Sequence, residues 1–167
     1  MFAMMLEDVL STLKTIPEIE NVSLATVCTK AIKIAKKYDA SILNTHCDEG
    51  QTSAITKSAT ALEQNGVKKM LMLPGDIPLV NENEISKVIN VHKSAPTMTI
   101  VPARDRKGSN CVALSPPAAM PLTFGPNSYF PHLEVARSLG LKINSITLSG
   151  IGLDIDTPSD LKELCKK

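Results

Sequence analysis

The chain has 167 residues, 43% of them hydrophobic and 21% charged, with a formal net charge of +1. That suits one globular domain with a sizeable core; it lacks the dense basic stretch of a nucleic-acid binder and, at 3% aromatic residues, the stacking platform of a single-strand binder. There is no signal-peptide pattern, no apolar run near the roughly 20 residues of a membrane span, and no CxxC spacing among Cys28, Cys47, Cys111 and Cys165, so a cytoplasmic protein with reduced thiols and no membrane or nucleic-acid partner is expected.

The first predicted element is a helix. Met4, Met5, Leu6, Val9, Leu10 and Leu13 recur at helical spacing, and Pro17 marks the exit. Residues 22–27 read as a strand, 31–38 as a helix and 40–43 as a short strand. A helix over 50–65 ends at Gly66, a C-cap residue that takes the left-handed conformation without Cβ strain. An apolar strand over 67–73 is broken by Pro74-Gly75-Asp76, and 82–92 reads as a helix. Strands over 97–101 and 111–114 flank a charged, glycine-containing loop. A helix over 127–139 stops before Gly140, a strand covers 143–148, and 158–165 forms a closing helix.

This alternation predicts an α/β, Rossmann-like fold with a mainly parallel sheet flanked by helices. No linker, repeat or low-complexity segment divides it, so residues 1–167 read as one domain. The first amphipathic helix has no strand before it. In a doubly wound sheet the first strand is commonly central, and its loop often holds phosphates. Either the helix starts the fold or the natural beginning lies upstream.

Ligands of open α/β sheets bind beyond the carboxyl ends of the strands. Asp76 falls there, held by the turn of Pro74, Gly75 and Pro78; an Asx-turn or helix cap is the structural alternative. In the segment Asp154-Ile155-Asp156-Thr157-Pro158, residues two apart in an extended chain share a side, which pairs Asp154 with Asp156. Thr157, Pro158 and Asp160 are explained as an N-cap, first helical residue and first-turn acid. Asp154 is not, and two carboxylates on one side suit a magnesium ion. Gly125-Pro126-Asn127-Ser128 leads into a helix whose start favours an anion, with Ser128 as either a cap or a phosphate ligand. His132, one turn on, is expected to be a packing or surface residue rather than a base. The loop from Arg104 to Asn110 is either a solvated hairpin or a segment whose Ser109 and Asn110 touch an anionic substrate. His46-Cys47-Asp48 reads as a turn or strand end, because consecutive residues rarely converge on one metal ion.

Pro74-Gly75-Asp76-Ile77-Pro78-Leu79, Gly108-Ser109-Asn110, Phe124-Gly125-Pro126-Asn127-Ser128 and Leu153-Asp154-Ile155-Asp156-Thr157-Pro158 occur in this order. That order resembles the 2-phospho-L-lactate guanylyltransferase family of deazaflavin coenzyme biosynthesis. The resemblance runs from about residue 4 to 164. It implies a glycosyltransferase-A-like nucleotidyltransferase that takes GTP and a small phosphorylated acid, 2-phospho-L-lactate, phosphoenolpyruvate or similar, and releases pyrophosphate. It also implies that Asp76, Asp154 and Asp156 hold Mg2+, and that Ser109, Gly125 and Ser128 bind the phosphate and carboxylate of the acceptor, with Asn110 touching the acceptor or the nucleotide. Gly50 and Thr52 lie where relatives bind the nucleotide. The family's opening strand and basic phosphate loop precede the point where this chain starts, which implies an N-terminally incomplete domain. Competing expectations are a molybdenum-cofactor-type nucleotidyltransferase and a non-catalytic phospho-ligand-binding relative. A homodimer is expected in either case.

Overall fold

The computed structural model describes residues 2–43, 51–125 and 127–153. The closing helix expected over 158–165 lies outside them. The described elements follow the predicted order: α1 (Phe2–Lys14), β1 (Ser23–Ala25), α2 (Thr29–Lys37), β2 (Ser41–Leu43), α3 (Gln51–Gln64), β3 (Met70–Met72), α4 (Glu82–Val91), β4 (Thr97–Pro102), β5 (Ser109–Ser115), α5 (Tyr129–Ser138) and β6 (Lys142–Ser145). Gly66 and Gly140 close α3 and α5 with positive φ, at +84° and +70°, which only a residue without Cβ adopts freely. Among the described residues no helix is long and apolar enough to cross a membrane.

Strands β1 and β2 pair in parallel, and the remaining four form a sheet of order β3-β5-β4-β6. In that sheet β3, β4 and β6 run one way, and β5 runs against both of its neighbours. Three of its four strands share a direction, but the reversed β5 lies inside the sheet, so two of its three pairings are antiparallel, as the hairpin alternative for the 104–110 loop implied. The reason lies in the connection. Only residues 103–108 join β4 to β5, and a parallel crossover needs about a dozen or more.

Both faces of this sheet are covered, so β4 and β5 are buried along their whole length. Met98, Ile100, Val112 and Leu114 point to one side and pack with Tyr129, Leu133 and Ala136 of α5. Val101, Cys111 and Ala113 point to the other and pack with Ile85 and Val88 of α4 and Val9 of α1. Helix α1 serves both sheets. Its Leu6 and Leu10 pack on Val22, Leu24 and Ile42, while Val9 and Leu13 reach the cluster beneath α4. This is the amphipathic stripe expected from the sequence, widened to cover two neighbours.

Candidate functional site

The reversed strand decides where the chemistry-bearing residues meet. Because β5 is antiparallel, its first residues lie at the same edge as the last residues of β3, β4 and β6. Pro102, at the end of β4, pairs with Ser109, at the start of β5. Asp76 follows β3 on a half-buried turn at this edge. The segment after β6 returns to it, since Arg104 N donates to Gly152 O at 2.8 Å and Asn110 Nδ2 donates to Ile151 O at 3.0 Å. Three of the predicted segments, around Asp76, Ser109 and Leu153, are thus brought to one edge of the sheet.

A local irregularity aims Ser109. Val101 pairs with Cys111 and both face α4, yet Pro102 pairs with Ser109 rather than Asn110. The extra residue is a bulge, and it turns Ser109 to the α5 side, opposite to where unbroken alternation from Cys111 would put it. There Ser109 Oγ lies 2.9 Å from His132 Nδ1 and accepts from Ser128 Oγ at 3.2 Å. Thr123 N donates to His132 Nε2 at 3.0 Å, and the Phe124 ring stands edge-on to the imidazole at 5.3 Å. Burial holds the His132 pKa down at about 4. Ser128 makes no side-chain cap on α5, so of its two expected uses capping is excluded and its hydroxyl joins this cluster. His132 is buried, as a packing residue should be, but its polar ties escaped the sequence reading. The signal for them was present only as His132 lying one turn beyond Ser128.

The turn at Gly125 borders the cluster. Gly125 has φ +148° and its carbonyl accepts from Ser128 N at 3.2 Å. Phe124 N donates to Thr52 Oγ1 at 3.0 Å, which ties the first turn of α3 to this turn. The expected nucleotide residue Thr52 therefore adjoins the expected acceptor residues Gly125, Ser128 and Ser109. Lys107 O accepts from Tyr129 N at 2.9 Å and holds the charged loop against the start of α5. Asn110 has one amide hydrogen committed to the 150–153 segment.

That segment is clamped from below by a buried carboxylate. Glu84 of α4 accepts from Gly150 N through both oxygens, at 2.9 and 3.0 Å, and from Ile151 N at 2.7 Å. Two backbone donors that would otherwise be orphaned are satisfied by one side chain. A Cβ on Gly150 would lie 2.3 Å from Leu79 O, so glycine is required for the segment to pass this close to the turn after Asp76. Gly50, Asp154 and Asp156 lie outside the described residues. Among the described residues no group of three or more His, Cys, Asp or Glu stands together as a metal site; of the expected Mg2+ ligands only Asp76 is described, and its carboxylate is the hard oxygen donor such an ion takes.

Comparisons with known proteins place the chain in a family. A family model described as "Guanylyl transferase CofC like" matches residues 1–166. The phosphoenolpyruvate guanylyltransferase of Conexibacter woesei is 29% identical over 94% of this chain and 71% of its own. The 3-phospho-D-glycerate guanylyltransferase of Colwellia psychrerythraea is 31% identical over 78% of this chain and 61% of its own. Across three such relatives this chain spans between 56% and 71% of their length. In structure, the 4-diphosphocytidyl-2C-methyl-D-erythritol synthase of Anaerococcus prevotii superposes with a TM-score of 0.69 over 98% of this chain and 86% of that one, at 16% identity. That likeness shows that the two chains share a fold. The family match extends over nearly every residue, and the chain belongs to the CofC-like guanylyl transferase family.

Proposed function

We propose that this chain is a nucleotidyltransferase domain, residues 1–167, that moves GMP from GTP onto a small phosphorylated acid and releases pyrophosphate, in the making of a deazaflavin coenzyme. The acceptor is phosphoenolpyruvate, 3-phospho-D-glycerate, 2-phospho-L-lactate or a similar acid. The observation that carries this reading is the hydroxyl cluster of Ser109 and Ser128 beside the Gly125 turn, set on the same sheet edge as Asp76. Hydroxyls hold a phosphate or carboxylate without adding a charge that would have to be neutralised when the site is empty.

The acceptor phosphate is already an anion, so its oxygen can attack the α-phosphorus of GTP without a general base. A bond forms between that oxygen and the α-phosphorus, and the bond from the α-phosphorus to the β-bridging oxygen breaks. Positioning and charge compensation are the work left for the protein. Ser109, Gly125 and Ser128 orient the acceptor, with Asn110 holding the neighbouring 150–153 segment. Thr52, and Gly50 before it, adjoin the nucleotide. Asp76, Asp154 and Asp156 would hold Mg2+, which when bound neutralises charge on the attacking and leaving oxygens. The absence of a catalytic His or Cys from this scheme follows from the chemistry. A cytoplasmic location and a homodimer belong to the same proposal; the outer edges of β1 and β3 each lack a second strand partner among the described residues.

The test is pyrophosphate release from GTP and magnesium with each of the three acids in turn. Release that requires one acid and falls by at least about a hundredfold in Asp76→Asn supports the reading. Release that is the same without any acid, or unchanged by Asp76→Asn, contradicts it.

A further inference from the structure

We propose that His132 is a positioning residue that fixes the direction of the Ser109 hydroxyl, so that Ser109 donates its proton to the bound acid. The inference rests on the acceptor-site reading above and adds to it a residue that touches no substrate.

A backbone N–H can only donate, so Thr123 N at 3.0 Å from His132 Nε2 requires that nitrogen to carry a lone pair. A neutral imidazole then has its proton on Nδ1. Burial, which holds the ring neutral at ordinary pH, is consistent with this. The Nδ1–H therefore donates to Ser109 Oγ at 2.9 Å. Ser109 Oγ also accepts from Ser128 Oγ at 3.2 Å, which commits the Ser128 proton and leaves Ser128 to serve the acid through Ser109 rather than as a second donor. A hydroxyl oxygen has two lone pairs and one proton. With both lone pairs filled, the proton of Ser109 is the group left to be offered outward, and a phosphate or carboxylate oxygen is what it offers itself to. The Phe124 ring at 5.3 Å keeps the imidazole plane in place. In effect a backbone amide in the 121–124 segment sets the tautomer, the tautomer sets the hydroxyl, and the hydroxyl becomes a fixed donor at no cost of reorganisation when the acid arrives.

Two conservative substitutions separate this role from packing. Asparagine places an amide near the position of Nδ1 and can still donate to Ser109. Glutamine reaches the position of Nε2 and can still accept from Thr123 but leaves Ser109 without its donor. Phosphoenolpyruvate and 3-phospho-D-glycerate would each be titrated into the wild type and into the His132→Asn, His132→Gln and Ser109→Ala variants, with thermal melts of all four. The expected result is a dissociation constant raised about tenfold or more in His132→Gln and Ser109→Ala, and within about threefold of wild type in His132→Asn, while both His132 variants melt lower than wild type by similar amounts. Equal weakening in His132→Asn and His132→Gln would overturn the proposal. Unchanged affinity in Ser109→Ala would instead overturn the acceptor-site reading. The tautomer is read separately, from the imidazole nitrogen resonances of the unsubstituted protein without ligand. A protonated Nδ1 and bare Nε2 are expected, and the reverse would sink the proposal even if a variant failed to fold.

Discussion

Two buried histidines stand at opposite ends of the β4–β5 pair and do different things with the same ring. His92, at the C-cap of α4, meets Thr99 Oγ1 at 2.9 Å through Nδ1 and Ser115 Oγ at 2.7 Å through Nε2. Asn144 Nδ2 continues that network to Thr99 Oγ1 and to Val91 O. Every bond runs between protein groups, so the network ties α4, β4, β5 and β6 together. His132 has one nitrogen satisfied by a backbone amide and the other by Ser109, whose hydroxyl lies at the edge where the strands' carboxyl ends converge. Where a buried histidine's chain of hydrogen bonds ends is what separates the proposed positioning role of His132 from the structural one of His92. Burial lowers the pKa of both, with Lys69 adding to the effect at His92, so the shift alone does not tell them apart.

Removing groups at each end of the β4–β5 pair separates the two histidines. At the Ser109 end, Asp76→Asn is expected to have the largest effect, at least about a hundredfold on turnover; steady-state rates check this. At the far end, His92→Ala should cost about 2–4 kcal/mol, because it leaves a cavity and two hydroxyls without their partner. Chemical denaturation measures that cost, and acceptor affinity in the folded fraction should be unchanged. A fall in affinity would erase the distinction between the two ends.

Glu84→Ala tests the join between the ends. It strips Gly150 N and Ile151 N of their acceptor and should cost about 1–3 kcal/mol. Because the clamped segment leads into Asp154, the magnesium dependence of the rate should also shift to higher concentration. A stability loss with an unchanged magnesium curve would confine Glu84 to the fold. The smallest expected effect is that of pH. Both histidines have folded-state pKa values below the ordinary 6.5, at about 4 for His132. The unfolded chain thus takes up protons first. The stability that neutral rings supply is fully present above about pH 6.5 and is lost as pH falls towards 4. Roughly 1–3 kcal/mol should go for His132, and denaturant midpoints measured across that range, with and without His132→Asn, should show the drop shrink in the variant.

Much of this was legible in the sequence for identifiable reasons. The stripe of Leu6, Val9, Leu10 and Leu13 sets a helical period, Gly66 and Gly140 mark helix ends, and the Pro74-Gly75-Asp76 break puts a carboxylate beyond a strand. These are local signals and the structure keeps them. The reversal of β5 was contained in the hairpin alternative for the 104–110 loop, a connection too short for a parallel crossover. The bulge that turns Ser109 towards α5 was not available, since pairing register depends on both strands and on the segments that hold them. The same holds for His132 and Glu84. Their partners are 9 to 67 positions away in sequence, and no periodicity encodes such a meeting. Asp154, Asp156 and Gly50 lie outside the described residues, and their roles rest on motif order.

The most direct test of the central claim compares Ser109→Ala with Ser115→Ala, one hydroxyl from each end of β5. Acceptor saturation of pyrophosphate release would be measured for both at fixed GTP and magnesium. The account predicts that Ser109→Ala raises the acceptor KM about tenfold or more with the GTP KM nearly unchanged, while Ser115→Ala lowers only stability. Equal acceptor KM values in the two variants would contradict it.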